Sequence, residues 1–387
     1  MGRGLRGQRG RPPLAVLLFS FMSGIKWLAL LLATSACFPG IAQSVSEFPN
    51  PSFQLVDVKH KADKSGVHLD SGNSITIVSG QGTPTTVNAL AFSGDGKLLA
   101  AGKDFGRVVV WDVPQRKFLC AIDSGEAIVT AVALSKDGQW LATAGQGDNY
   151  RMKLWHLPDG KLVRTYDYFG GFVHSLAFGP NGGWIVAWSN DGKTHVVDTK
   201  QEKQILVLDE MFSPLLSSDG HTMLTVSRDS YVVWNTSNWT KVRTLLRPAN
   251  FALPLALSTD AIAIAASGKF RLIRLDDGSL LPNSPKPELP SFNPSAGGFA
   301  AFRSGTPLLF GHSDDRLWAW NSETGRTCLS GMMYSESGAL SPDGLLLAGA
   351  KDNSIFAQGS AETGVWLWYT DNLVAGCLGR TASSTGP

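Results

Sequence analysis

Seven times between residues 87 and 371 the chain repeats one local theme. A short apolar run is followed by a tight polar turn, a second apolar run, a loop with an acid, and a third run ending in an aromatic or β-branched pair. The clearest copies are VNALAFSGDGKLLAAGKDFGRVVVWD from Val87, VTAVALSKDGQWLATAGQGDNYRMKLWH from Val129, VHSLAFGPNGGWIVAWSNDGKTHVVD from Val173 and FSPLLSSDGHTMLTVSRDSYVVWN from Phe212. Copies also begin at Phe299 and Ser337, and a weaker one at Pro254. The residue opening each turn is Ser93, Ser135, Gly179, Ser217, Ser258, Arg303 and Ser341, in steps of 42, 44, 38, 41, 45 and 38. A period of roughly 40–45 residues accommodates four strands per unit.

Each unit has a physical reading. The first strand alternates small and large residues, as in Ala89 and Ala91 against Leu90 and Phe92. Small residues on one face let inner strands crowd around an axis, and large ones pack between units. Asp and Gly in SGDG, SKDG, SSDG and SPDG suit a tight reversal. The loop acids are Asp104, Asp148, Asp191, Asp229, Asp315 and Asp352; the third strands end in pairs such as Trp111-Asp112, Trp155-His156 and Trp234-Asn235. These features predict an all-β seven-bladed β-propeller in which an N-terminal strand closes the last blade. The run ITIVS (residues 75–79) takes the place of that outer strand, and a strand over residues 55–58 has no evident place. Closure removes the open sheet edges.

The pattern resembles the WD-repeat family over residues 67–371. The resemblance implies that the loop acids are structural and brace neighbouring turns by hydrogen bonds. The Gly-His pair that usually opens such repeats is missing, and the Trp-Asp ending is intact only at Trp111-Asp112.

The first 42 residues carry Arg3, Arg6, Arg9, Arg11 and Lys26 and no acid, within a chain of net charge +2. Two apolar runs, LAVLLFSF and WLALLLATSA, follow the basic head, which describes a secretory signal of bacterial character. Cleavage after Ala42 is the first expectation; Met22 is an alternative start, ATSAC offers Cys37 for lipidation, and retention as a membrane anchor is a third outcome. The expected organisation is residues 1–42 as signal or anchor, 43–66 as linker, 67–371 as propeller and 372–387 as a flexible tail. The localisation expected is periplasmic or secreted. The remaining chain has no basic excess, so neither nucleic acid nor an anionic membrane surface is an expected partner. Cys120 and Cys328 fall in strands and read as buried thiols, with a Cys328–Cys377 disulfide as the alternative.

No catalytic motif stands out. The seven histidines share no metal-ligand spacing, and no GxSxG, HExxH or Walker-type loop is present. The expectation is a non-enzyme without cofactor or metal. The loops leading into the first strands are richer: Tyr168, Phe169 and Phe172; Met211 and Phe212; Phe251; Met332, Met333 and Tyr334. Aromatic and Met residues favour binding hot spots, so these are the candidate partner-binding residues. The resemblance implies a protein-interaction scaffold, and a monomer is expected. The alternative is a propeller enzyme or small-ligand binder at the channel mouth, where His174 would lie.

Overall fold

The computed structural model describes residues 46–47, 53–56, 86–147, 150–210, 212–247, 253–266, 269–281, 300–313, 316–329, 337–351 and 364–375. They form seven small sheets that make a seven-bladed β-propeller. The first strands are Val87–Phe92, Ile128–Leu134, Val173–Phe178, Leu215–Leu216, Leu253–Leu257, Ala300–Phe302 and Gly338–Leu340. Within each blade the chain steps outward through antiparallel neighbours. A short helix, Thr370–Leu373, follows the third strand of blade seven.

The ring is held by burial on both faces of every blade. The described residues form seven apolar clusters, one for each junction between adjacent blades. Strand periodicity explains how a single strand serves two junctions. In blade one, Leu99, Ala101, Val109 and Trp111 face blade seven, while Ala100, Val108 and Val110 face blade two. Runs such as LLAA and VVVW are therefore apolar throughout instead of alternating. The seventh cluster joins Ala348, Val365 and Leu367 to Val87 and Leu99, which closes the ring. Hydrogen bonds tie neighbouring first strands as well: Thr130 Oγ1 donates to the Val173 carbonyl (2.5 Å), and Ser337 Oγ to that of Val87 (3.2 Å).

The repeated turn is a small hydrogen-bonded device. Ser135 Oγ donates to Asp137 Oδ1 (2.6 Å), the Gln139 N–H donates to the same oxygen (3.1 Å), and the Trp140 N–H returns to Ser135 Oγ (3.0 Å). Ser93/Asp95, Ser217/Asp219 and Ser341/Asp343 repeat it. Gly138 takes φ 68° in this turn, a conformation that a Cβ disfavours. The hydrogen bond from Ser135 holds the Asp137 carboxyl below its ordinary range. At Asp95 and Asp219 burial works against the charge, but the serine and backbone donors outweigh it and again lower the pKa.

A carboxyl with a folded pKa below its unfolded value supports stability above the unfolded value and loses that support as pH falls through the folded one. The share of the melting temperature that these turns supply should therefore hold from neutrality down to about pH 4, the ordinary aspartate range, and be lost below it. Circular dichroism melts against pH check this, and Ser135→Ala with Ser217→Ala should weaken the acid dependence.

An N-terminal strand does close the last blade, but it is Phe53–Val56, not residues 75–79. Phe53 pairs antiparallel with Leu367, and Leu55 with Val365. An outer strand asks only for a short extended run, so the pattern alone did not separate the two segments; residues 75–79 lie outside the described residues. Ser46–Glu47 adds a parallel strand to Thr327–Leu329 in blade six. The reading as a free thiol holds for Cys120, although it is half-buried and not fully buried, with burial pushing its pKa up. It fails for Cys328, which is disulfide-bonded and sits in the cluster joining blades six and seven. A strand thiol and a strand half-cystine have the same local sequence, so position could not distinguish them. Its partner lies outside the described residues, as do Cys37 and Cys377. Among the described residues no helix is long and apolar enough to cross a membrane.

Candidate partner-docking face

Two sets of loops emerge at one face: those leading from an outer strand into the next blade, and those joining second to third strands. Neighbouring loops are stitched together. The Phe105 N–H donates to the Ala127 carbonyl (2.7 Å), the Asn190 N–H to that of Phe172 (3.1 Å), and the Arg247 N–H to that of Asp229 (3.0 Å).

The loop acids take part in this bracing. Asp104 accepts from the Thr86 N–H (3.0 Å) and from Asn88 Nδ2 (2.9 Å). Asp191 accepts from the Gly170 N–H (3.0 Å), the Lys193 N–H (3.1 Å) and Ser189 Oγ. Burial raises the Asp191 pKa, but these donors outweigh it and hold the group charged. The carboxylate of Asp229 makes no hydrogen bond among the described residues, and Asp148, Asp315 and Asp352 lie outside them. Two third-strand tryptophans are bound to second-strand threonines: Trp155 Nε1 to Thr143 Oγ1 and Trp234 Nε1 to Thr225 Oγ1, both at 3.0 Å. These two indole donors are thus satisfied inside their own blades, which helps to keep these strands in register.

The structure sorts the aromatic candidates by environment. Phe169 is buried in the junction between blades two and three, its ring edge-on to His195 at 4.9 Å. Tyr168 is partly exposed, and its hydroxyl donates to the Glu202 carbonyl, tying it to blade three near that blade's outer strand. Phe212 is half-buried against the junction of blades four and five, with the Arg247 guanidinium 5.5 Å from its ring centre. Phe172 is half-buried and begins a run of rings: His174 lies 4.6 Å from it, and Trp188 lies 5.3 Å beyond His174. Desolvation lowers the His174 pKa and so favours its neutral form. Met211, Phe251, Met332, Met333 and Tyr334 fall outside the described residues.

Two residues on this face escape a reading by composition. Phe105 is 67% exposed at φ 59°, and Tyr150 is 42% exposed at φ 46°. Tyr150 adjoins the ring run at 6.4 Å from Phe172. Bulky side chains are rare in the left-handed region, and such strain clusters at functional sites. The available signal was a Phe in KDFGR, a place where a second-to-third-strand loop needs only small polar residues. Among the described residues no group of His, Cys, Asp and Glu is arranged to hold a metal ion.

Three segments, residues 72–112, 117–156 and 160–198, match the family described as WD domain, G-beta repeat. These three WD repeats run through blades one to three of the seven-bladed β-propeller. The chain is also similar to pre-mRNA-processing factor 19 homolog 2 of Arabidopsis thaliana, at 33% identity over 78 residues. That match covers 20% of this chain and 15% of the relative's length.

Proposed function

We propose that the chain is a non-enzymatic scaffold working outside the cytoplasm, and that it holds a protein partner on the loop face. WD-repeat propellers typically bind proteins, which supports the class of partner. The observation that carries the site is Phe105, a large apolar ring kept in solvent on a strained backbone. An isolated surface needs neither, whereas a docking hot spot uses an exposed aromatic anchor. Tyr150, Phe172 and His174 extend the same face. The basic, apolar N-terminal segment and the disulfide at Cys328 both support an oxidising compartment.

Phe105→Gly separates binding from folding. Glycine relieves the left-handed strain, so stability should hold or rise by up to about 1 kcal/mol. Capture of the partner by the exported full chain, read by mass spectrometry, should fall at least about tenfold for an anchor worth 1.4 kcal/mol or more. Unchanged capture with an intact circular dichroism spectrum would remove the loop face from the account. Sequencing the mature N-terminus tests export: a start at Gln43 or a lipidated Cys37 supports it, and an intact Met1 in a cytoplasmic fraction contradicts it.

A further inference from the structure

On the opposite face, between blades two and three, lies a cleft of about 640 Å³. That volume falls within the range of ligand sites, roughly 300–1,000 Å³. It is built by turns from three blades and shares no lining residue with the loop face.

Its apolar wall comes from Trp140, Leu154, Val163 and Phe178. Trp140 and Phe178 pack against the junction of blades two and three and remain half-buried. The Trp140 ring is held at 5.1 Å from the His156 ring, and His156 is bonded to Asp159 (2.9 Å). Val163, on the outer strand of blade two, is 43% exposed. The apolar side is therefore fixed before any ligand arrives.

The charges around it differ in how far they are already satisfied. Asp95 pairs with Lys97 (3.1 Å) and accepts from Ser93, and Asp137 accepts from Ser135 and from the Gln139 backbone. Arg164 is anchored: its Nη1 donates to the carbonyls of Thr199 and Lys200 (3.0 Å each) and pairs with Glu202 (3.1 Å). Lys136 and Lys200 line the cleft, are exposed, and have no ion pair among the described residues. Asp137 has no ion pair among the described residues either, so the unpaired charge at the rim is two lysines against one carboxylate, net positive beside a preformed apolar wall.

We infer that this cleft is a second docking site, and that it takes an extended peptide segment of a protein partner with an acidic side chain next to a large apolar one. The apolar side chain lies against Trp140 and Phe178, and the carboxylate meets Lys136 and Lys200. The inference is independent of the loop-face reading, because it uses other residues on the other face.

The test passes a degenerate hexapeptide pool over the immobilised full chain, and in parallel over a Lys136→Glu/Lys200→Glu variant. Both lysines are exposed, so the variant should keep the parent's circular dichroism spectrum and melting temperature. Peptides retained by the parent should be enriched in Asp or Glu beside Phe, Leu or Trp. A representative peptide should bind the variant at least about tenfold more weakly, and binding to the parent should weaken as salt rises. Phe105→Gly should leave this binding unchanged, which separates its failure from failure of the loop face. No acidic enrichment, a preference for basic peptides, or equal retention by the variant would overturn it.

Discussion

Replacing Trp318 by alanine should cost about 3–5 kcal/mol, the range for truncating a buried Trp in a core. Trp318 is fully buried in the third strand of blade six, Arg316–Asn321. Its ring lies 4.9 Å from that of Phe270, and Leu272, Leu309 and Trp320 complete the junction with blade five. Blade five has three described strands where blades one to four have four, and its sequence has neither the loop acid nor the Trp. This junction therefore leans heavily on a few large rings, and truncating one leaves a cavity that strands fixed on both sides cannot close. Urea unfolding of the variant measures the loss; a cost under about 1 kcal/mol, the size of an ordinary surface change, would mean that the junction is not packed as described.

Gly145→Ala should be destabilising at the upper end of the usual overpacking range, about 1–3 kcal/mol. A Cβ at this position would lie 1.9 Å from the Ile128 carbonyl oxygen and 3.0 Å from Val129 Cα. These are backbone atoms of the first strand of blade two, so no side-chain rotation relieves the clash. The pairing of that strand with the second shifts register between Val129 and Ala131, which brings the two backbones together. Gly183→Ala is the matched control, since a Cβ there meets nothing within 4 Å; it should stay within about 0.5 kcal/mol. Equal denaturation midpoints for the two variants would contradict the close approach.

The blade count was legible because each blade must solve the same problem with the same groups. The Ser-x-Asp-Gly turn needs a hydroxyl, a carboxylate and a left-handed glycine at fixed offsets, and those survive as letters at Ser93, Ser135, Ser217 and Ser341. Bracing by the loop acids was legible for Asp104 and Asp191 through the family resemblance. The closing strand was not, since Phe53–Val56 and residues 75–79 are both short extended runs. Nor does aromatic identity reveal burial: Phe169 and Phe172 stand in one loop, yet the first plugs a junction and the second, half-buried, begins the ring run toward His174. Phe105 and Tyr150 matter through backbone angles that no composition shows. The cleft was invisible because Asp95, Lys136 and Lys200 come from three different repeats and meet only when the ring forms.

Ring closure can be read in solution from one intramolecular cross-link. A Cβ at Gly96, in the blade-one turn, would lie 3.9 Å from the Pro342 ring in the blade-seven turn. Cysteines placed at Lys97 and Pro342, in a chain with Cys120 replaced by serine, should be joined within the monomer by a short bis-maleimide under native conditions and not in urea. If the native protein leaves that pair unjoined while each cysteine reacts singly, the two ends of the propeller do not meet and the closed ring is wrong.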